Sequence, residues 1–368
     1  MFFIGDCMER VFGNLKMRLD AWEILRYNND IIFIKDGYIM VWIWVAGIAA
    51  AVLGLLYFLV GEFFYHMAID AHSKKWFLEP PKKKKQKTIE GADSYSSMKN
   101  NTRETTEREL DTAYFETHPS EIFETVSNDG KNLTLKGYYF PPAVPSDKWL
   151  LFFHGYASSL LWSRRWVRTL SEHGYHVLAP DMRGHGMSDG DYIGMGWDER
   201  LDALAWIDCI LKKAPQARIL LSGVSMGGAT VLCAAGEALP DAVKCIIADC
   251  GYTSVWEILS YQLKALFHLP QFPFMYAARS AILRHAGYDI SRASAAEQLK
   301  KATKPILMIH GDADTFVPFS MLQTVYDAAA SAEKEKLSIP GAGHGTACCT
   351  EPDLYWEHYL AFADRYIQ

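Results

Sequence analysis

The chain has 368 residues, half of them hydrophobic and 22% charged, proportions ordinary for a globular protein with one sizeable core and an appendage. Its net charge of −6, with no basic stripe interleaved with aromatic residues in the globular part, excludes general nucleic-acid binding. The seven cysteines are odd in number and lack framework spacing, and no C-x-x-C or H-E-x-x-H occurs, so reduced thiols are expected and neither a metal nor any other cofactor is.

Residues 1–36 carry nearly balanced charge and place Met8, Val11, Phe12, Leu15, Leu19 and Trp22 at helical spacing, which predicts an amphipathic segment for a membrane interface or a partner. Residues 37–61 contain no charge at all. At about 1.5 Å per residue they are long enough to cross a bilayer, and Trp42, Trp44, Tyr57 and Phe63 gather toward the two ends as interfacial aromatics do. The stretch starts too late and runs too long for a signal peptide, so a retained single-pass membrane helix is expected. Lys74, Lys75 and the run from Lys82 to Lys85 follow it, which places the C-terminal side in the cytoplasm by the positive-inside rule. Residues 62–112 are basic, then polar, without apolar periodicity, and read as a linker.

The globular domain is expected over residues 113–368. It begins with two strand patterns, 122–127 and 133–140, joined by Asn128-Asp129-Gly130-Lys131, a hairpin signal. Apolar runs at 149–153, 176–180, 219–224, 245–248 and 305–309, and a further strand pattern at 336–339, then alternate with helical patterns. Strands apolar on both faces and separated by helices predict an α/β fold with a mostly parallel, doubly wound sheet. Residues 251–303 form a helical insertion rich in apolar side chains, among them Trp256, Tyr261, Phe267 and Phe274. Such side chains bury the insertion against the sheet or line an acyl pocket.

Four loops at strand ends carry residues suited to chemistry, and ligands of open α/β sheets bind beyond the carboxyl ends of the strands. Gly223-Val224-Ser225-Met226-Gly227 turns from strand to helix on a serine, where glycines allow a turn too tight for side chains. His310-Gly311-Asp312-Ala313-Asp314 offers two carboxylates, and Gly341-Ala342-Gly343-His344-Gly345 offers an imidazole. A serine hydroxyl becomes nucleophilic when a neutral imidazole takes its proton and a carboxylate holds that imidazole in place. The fourth loop, His154-Gly155-Tyr156-Ala157, together with Met226 at a helix start, would supply backbone N–H groups to an oxyanion. His154 is a rival base, but its position just after the third strand suits shaping that loop.

From about residue 121 onward the chain resembles the α/β-hydrolase superfamily. The resemblance rests on G-x-S-x-G at Ser225, on H-G-x-x-D-x-x-V-P from His310 to Pro318, and on D-x-R-G-H-G-x-S from Asp181 to Ser188. It implies an α/β-hydrolase fold with a short lid at about 251–303, Asp314 in preference to Asp312 as the acid, and Ser225, Asp314 and His344 as a catalytic triad. It implies an oxyanion hole from the backbone N–H groups of Tyr156 and Met226, and a mainly structural loop around Asp181 and His185. The membrane segment ahead of the domain, with Asp249-Cys250-Gly251-Tyr252 after a strand, resembles bacterial membrane-anchored serine hydrolases, including serine-peptidase-like members. Hydrolysis of an ester or thioester of an acyl, lipid-like small molecule at the membrane is the expectation. Cleavage of short peptides, or a non-catalytic membrane receptor with the same fold, are the alternatives.

Overall fold

A computed structural model describes residues 30–75 and 102–368, with side chains of the first helix described from Val41. The elements in chain order are α1 (Asp30–Ala68), α2 (Thr102–Thr117), β1 (Glu121–Val126), β2 (Thr134–Phe140), β3 (Lys148–Phe153), α3 (Leu160–Glu172), β4 (His176–Pro180), α4 (Glu199–Lys213), β5 (Arg218–Val224), α5 (Met226–Ala234) and β6 (Val243–Asp249). They continue with α6 (Val255–Phe267), α7 (Gln271–His285), α8 (Ala295–Leu299), β7 (Ile306–Gly311), α9 (Ser320–Ala328), β8 (Lys334–Ile339), α10 (Ala347–Thr350) and α11 (Pro352–Tyr366).

The chain forms two units, residues 1–59 and 60–368. In the first, α1 exposes every described side chain, Trp42, Trp44 and Leu53 included. A helix apolar all round, without protein against it, has the character of a lipid-facing span, and Val41–Ala68 is long and apolar enough to cross a membrane. The amphipathic segment expected at the N-terminus lies, as far as residue 29, outside the described residues.

In the second unit eight strands form one sheet in the order β1-β2-β4-β3-β5-β6-β7-β8. The hairpin β1-β2 and its pairing with β4 are antiparallel, and β4 through β8 are parallel. Successive side chains of a strand point to opposite faces. Ile219 and Leu221 accordingly join a core with Trp206 of α4, Val231 of α5 and Leu263 of α6, while Leu220 joins a second core with Trp166 of α3 and Tyr359 of α11. Both faces of the parallel strands are covered, which is why those strands read as continuous apolar runs.

The expected linker, 62–112, is structured at both ends. A Cβ on Gly61 would strike the Ala277 carbonyl, so the end of α1 lies against α7 at a distance only glycine permits. Phe64 meets Phe267 and Phe274 edge-on, with centroids 5.7 and 6.3 Å away, and Glu62 accepts from Arg284 at 2.6 Å. Beyond the helix, the Ile193 N–H donates to the Ile69 carbonyl at 2.8 Å. At the other end, α2 docks on α3 through charges: Arg165 and Arg168 donate to the Asp111 carboxylate at 2.8 and 2.7 Å, and Arg165 also pairs with Glu104 at 3.3 Å. Glu104 and Asp111 are buried. Only at its C-terminal end does α2 also pack apolar groups, Tyr114 and Phe115 against Phe140, so over most of its length apolar periodicity does not reveal the docking.

Candidate active site

Ser225 sits between β5 and α5 with φ 59° and ψ −115°, a conformation costly for a side chain and enforced by its surroundings. Its N–H donates to the Asp249 carbonyl at 2.8 Å, which ties the turn to β6. A Cβ on Gly227 would overlap the Phe153 carbonyl, so glycine there lets the turn press against the end of β3.

The loop after β8 brings His344 to this serine. Nε2 lies 2.8 Å from Ser225 Oγ, and Nδ1 lies 2.8 Å from Asp314 Oδ2, at the end of β7. With the proton on Nδ1, donated to the carboxylate, Nε2 is left to accept from the hydroxyl. Oδ1 of Asp314 accepts from the Phe316 and Val317 N–H groups at 2.9 Å each. His310 Nε2 lies 3.2 Å from Oδ2 and is also 3.0 Å from the Val317 carbonyl. Burial alone would raise the Asp314 pKa, but the charge of His344 and the hydrogen bonds from His310 and His344 outweigh it and hold the carboxyl below its ordinary range. Asp312, the rival acid, is exposed and caps the next loop by accepting from the Gly341 N–H at 2.7 Å.

His154 stands in a different role from a base. Its Nδ1 bonds the Gly155 carbonyl at 2.7 Å and its Nε2 accepts from the Met182 N–H at 3.1 Å. Burial, with His185 beside it, pushes its pKa down to about 3, so it is neutral and fully engaged. His185 supports the same loop, accepting from the Ala157 N–H at 3.1 Å. Asp181 accepts from the Met187 N–H at 2.9 Å and braces the loop that carries His185. A Cβ on Gly155 would lie 3.5 Å from that of Ser225, so the Tyr156 loop borders the serine, and Met226 is fully buried at the first position of α5.

Two spaces open on Ser225. One is a narrow apolar cavity of about 90 Å³ whose lining includes Phe64, Met67, Leu263, Phe267 and Phe274. The other is a wider chamber of about 560 Å³ that reaches His344, Trp162 and Arg164. Among the described residues the group best placed to share a metal ion is Cys250, Asp314 and His344, with donor atoms within 4.8 Å of one another. Its thiol is held protonated by burial and by the neighbouring carboxylates of Asp249 and Asp314, and its other two members already bond each other, so it is poor ligand chemistry. Sequence reasoning did not single out His310, Asp249 or the end of α1; none lies in a motif whose spacing names its role.

A family model describing the alpha/beta hydrolase fold matches residues 148–271. The Bacillus subtilis protein YqkD is 31% identical over 195 residues, covering 52% of this chain and 63% of its own length. The lysophosphatidylserine lipase ABHD12 of Danio rerio is 29% identical over 194 residues, covering 50% of this chain and 48% of its own. The chain thus spans between about half and two thirds of the length of these curated relatives. Among solved structures, the Pyrococcus furiosus esterase Pf2001 superposes with a TM-score of 0.56 at 23% identity, over 68% of this chain and 94% of that one, a likeness of fold.

Proposed function

Because the chain belongs to the α/β-hydrolase superfamily, we propose that it is a membrane-anchored serine hydrolase that cleaves an ester or thioester of an acyl substrate. The observation that carries this reading is the unbroken line from Ser225 Oγ through His344 to Asp314, with both links at 2.8 Å. His344 takes the hydroxyl proton as Ser225 attacks the acyl carbon, and Asp314 stabilises the resulting imidazolium. The N–H groups of Tyr156 and Met226 receive the charge that develops on the acyl oxygen. His344 then returns the proton to the departing oxygen or sulfur, and a water molecule activated by the same imidazole releases the acid and restores the serine.

The two spaces at Ser225 suit such a substrate. The narrow apolar cavity offers nothing to the charged ends of a peptide, which favours an acyl chain there, and the wider chamber admits a polar leaving group. The span supports attachment to a membrane, with the domain on the cytoplasmic side as the following lysines favour. Cleavage after the span as a signal peptide would remove the packing of residues 61–68 on α7, which favours retention. Incubation with a fluorophosphonate probe tests the chemistry. The wild type is expected to be labelled and Ser225→Ala is not; a wild type that resists labelling would point instead to a receptor that keeps only the fold.

A further inference from the structure

The apolar cavity at Ser225 has walls of two origins. Leu263 and Phe267 of α6 and Phe274 of α7 belong to the insertion over the sheet, whereas Phe64, Met67 and Ala68 belong to the last turns of α1. Those turns are fixed. Glu62 is paired with Arg284 and with His285 at 2.8 Å, and the Lys75 ammonium donates to the Met67 and Asp70 carbonyls at 3.2 and 2.7 Å, where the helix has run out of N–H donors. The Tyr156 hydroxyl donates to the Ala68 carbonyl at 2.6 Å, so the end of α1 also braces the loop beside Ser225.

The chemistry of the cavity fixes its occupant. Tyr156 and Tyr252 spend their hydroxyls on the Ala68 and Met195 carbonyls, and the Gln262 amide nitrogen donates to the Phe316 carbonyl at 2.6 Å. Apart from Ser225 and the Gln262 Oε1, which is buried without a hydrogen-bond partner among the described residues, these polar atoms are engaged, so most polar groups entering would lose hydration without gaining partners, a cost of about 1–3 kcal/mol for each. At about 90 Å³ the space is small and almost wholly apolar, which suits an alkyl chain. Met67 is half-buried and flexible, and its side chain lines this space.

We propose that residues 61–68, the end of the membrane-length helix, set the acyl-chain length that this site accepts, with Met67 as the gauge. The inference rests on the serine-hydrolase reading for its substrate and on the cavity for its geometry. The helix is therefore part of the specificity apparatus as well as an anchor.

The test uses the full-length protein in detergent micelles with p-nitrophenyl esters graded from acetate to palmitate. Met67→Trp is expected to lower kcat/KM on the long esters by about tenfold or more relative to acetate, the range expected when methylene-sized space is removed from an apolar pocket. Met67→Leu, which conserves volume, is expected to keep the wild-type length profile. A Met67→Trp protein that melts like the wild type and shows the same length profile overturns the proposal. A second measurement is independent of turnover: displacement of a fluorescent long-chain fatty acid from Ser225→Ala, with and without Met67→Trp. Binding weakened about tenfold by the tryptophan supports the cavity assignment even if no ester is hydrolysed, and that pairing would sink the hydrolase reading alone. Equal fatty-acid binding by both proteins, or none by either, overturns the assignment.

Discussion

Asp249 ends β6 and Asp314 lies in the loop just after the adjacent parallel strand β7, and both are almost wholly buried, with exposures of 2% and 5%. Their chemistry is nonetheless opposite. Asp314 is ringed by two backbone N–H groups and two imidazoles, and stays ionised. Neither carboxylate oxygen of Asp249 makes a hydrogen bond of ordinary geometry among the described residues, and burial pushes its pKa up to about 6, with Tyr355 and the nearby histidines only partly offsetting this. Depth in the protein raises a carboxyl pKa, and donors decide whether that rise survives. The fold thus keeps one carboxylate ionised beside two imidazoles and lets its neighbour give up its proton only near pH 6.

Substituting each aspartate in turn breaks this contrast most directly. Asp314→Asn is expected to lower kcat by about 10⁴-fold, because an amide cannot hold the Nδ1–H tautomer of His344; steady-state ester hydrolysis measures it, and a loss below tenfold would remove Asp314 from the role assigned to it. His310→Ala is expected to cost about tenfold in kcat with KM unchanged, the worth of one hydrogen bond to a charged group. His310→Gln, which keeps a donor, should recover most of that loss, and an alanine variant as active as the wild type would leave His310 with no part in positioning.

Asp249→Asn is expected to have the smallest effect on activity, within about threefold in kcat/KM, or roughly 1 kcal/mol of barrier at most. Its signature lies in stability. The folded state keeps the Asp249 proton up to about pH 6, whereas the unfolded chain releases it near the ordinary value of 3.8. More protons are then bound to the folded state, so native stability falls as pH rises between about 4 and 6, by about 3 kcal/mol in all. Thermal melts of the asparagine variant should match the wild type at pH 4 and exceed it by several degrees at pH 8. A variant no more stable than the wild type at pH 8 would mean that Asp249 is comfortable as an anion and that the contrast with Asp314 is false.

The fold was legible wherever burial on both faces writes an uninterrupted apolar run, as at Leu150–Phe153 or Ile219–Leu221. Ser225 and Asp314 were legible because each follows such a run, and His344 because its glycine-rich loop follows the last, more exposed strand, so that strand order brings the three to one edge. His310 was quoted within a motif yet given no role. Its bond to Asp314 spans one turn of loop, and nothing in the spacing separates a histidine that touches the carboxylate from one that merely ends a strand. Asp249 was equally mute, since its meaning lies in donors that are missing. The ends of the supposed linker were misread for two reasons. Glu104, Arg108 and Asp111 recur at helical spacing but dock through ion pairs, which hydropathy scores as solvent-facing. Phe64 and Met67 fell within the stretch read as a linker, next to the membrane-length run, and apolar side chains that face lipid or a protein cavity are written alike.

Ser225 and His344, the proposed nucleophile and base, lie 119 positions apart along the chain, and His344 hangs from β8, the outermost and most exposed of the parallel strands. Ser225 is therefore translated well before His344, and its hydroxyl has this imidazole as a partner only once the loop after β8 is in place. In the mature protein the same arrangement ties reactivity to the rim of the domain, where local opening needs less free energy than in the middle. Fraying of β8 would disarm Ser225 while the nucleophile turn itself stayed folded.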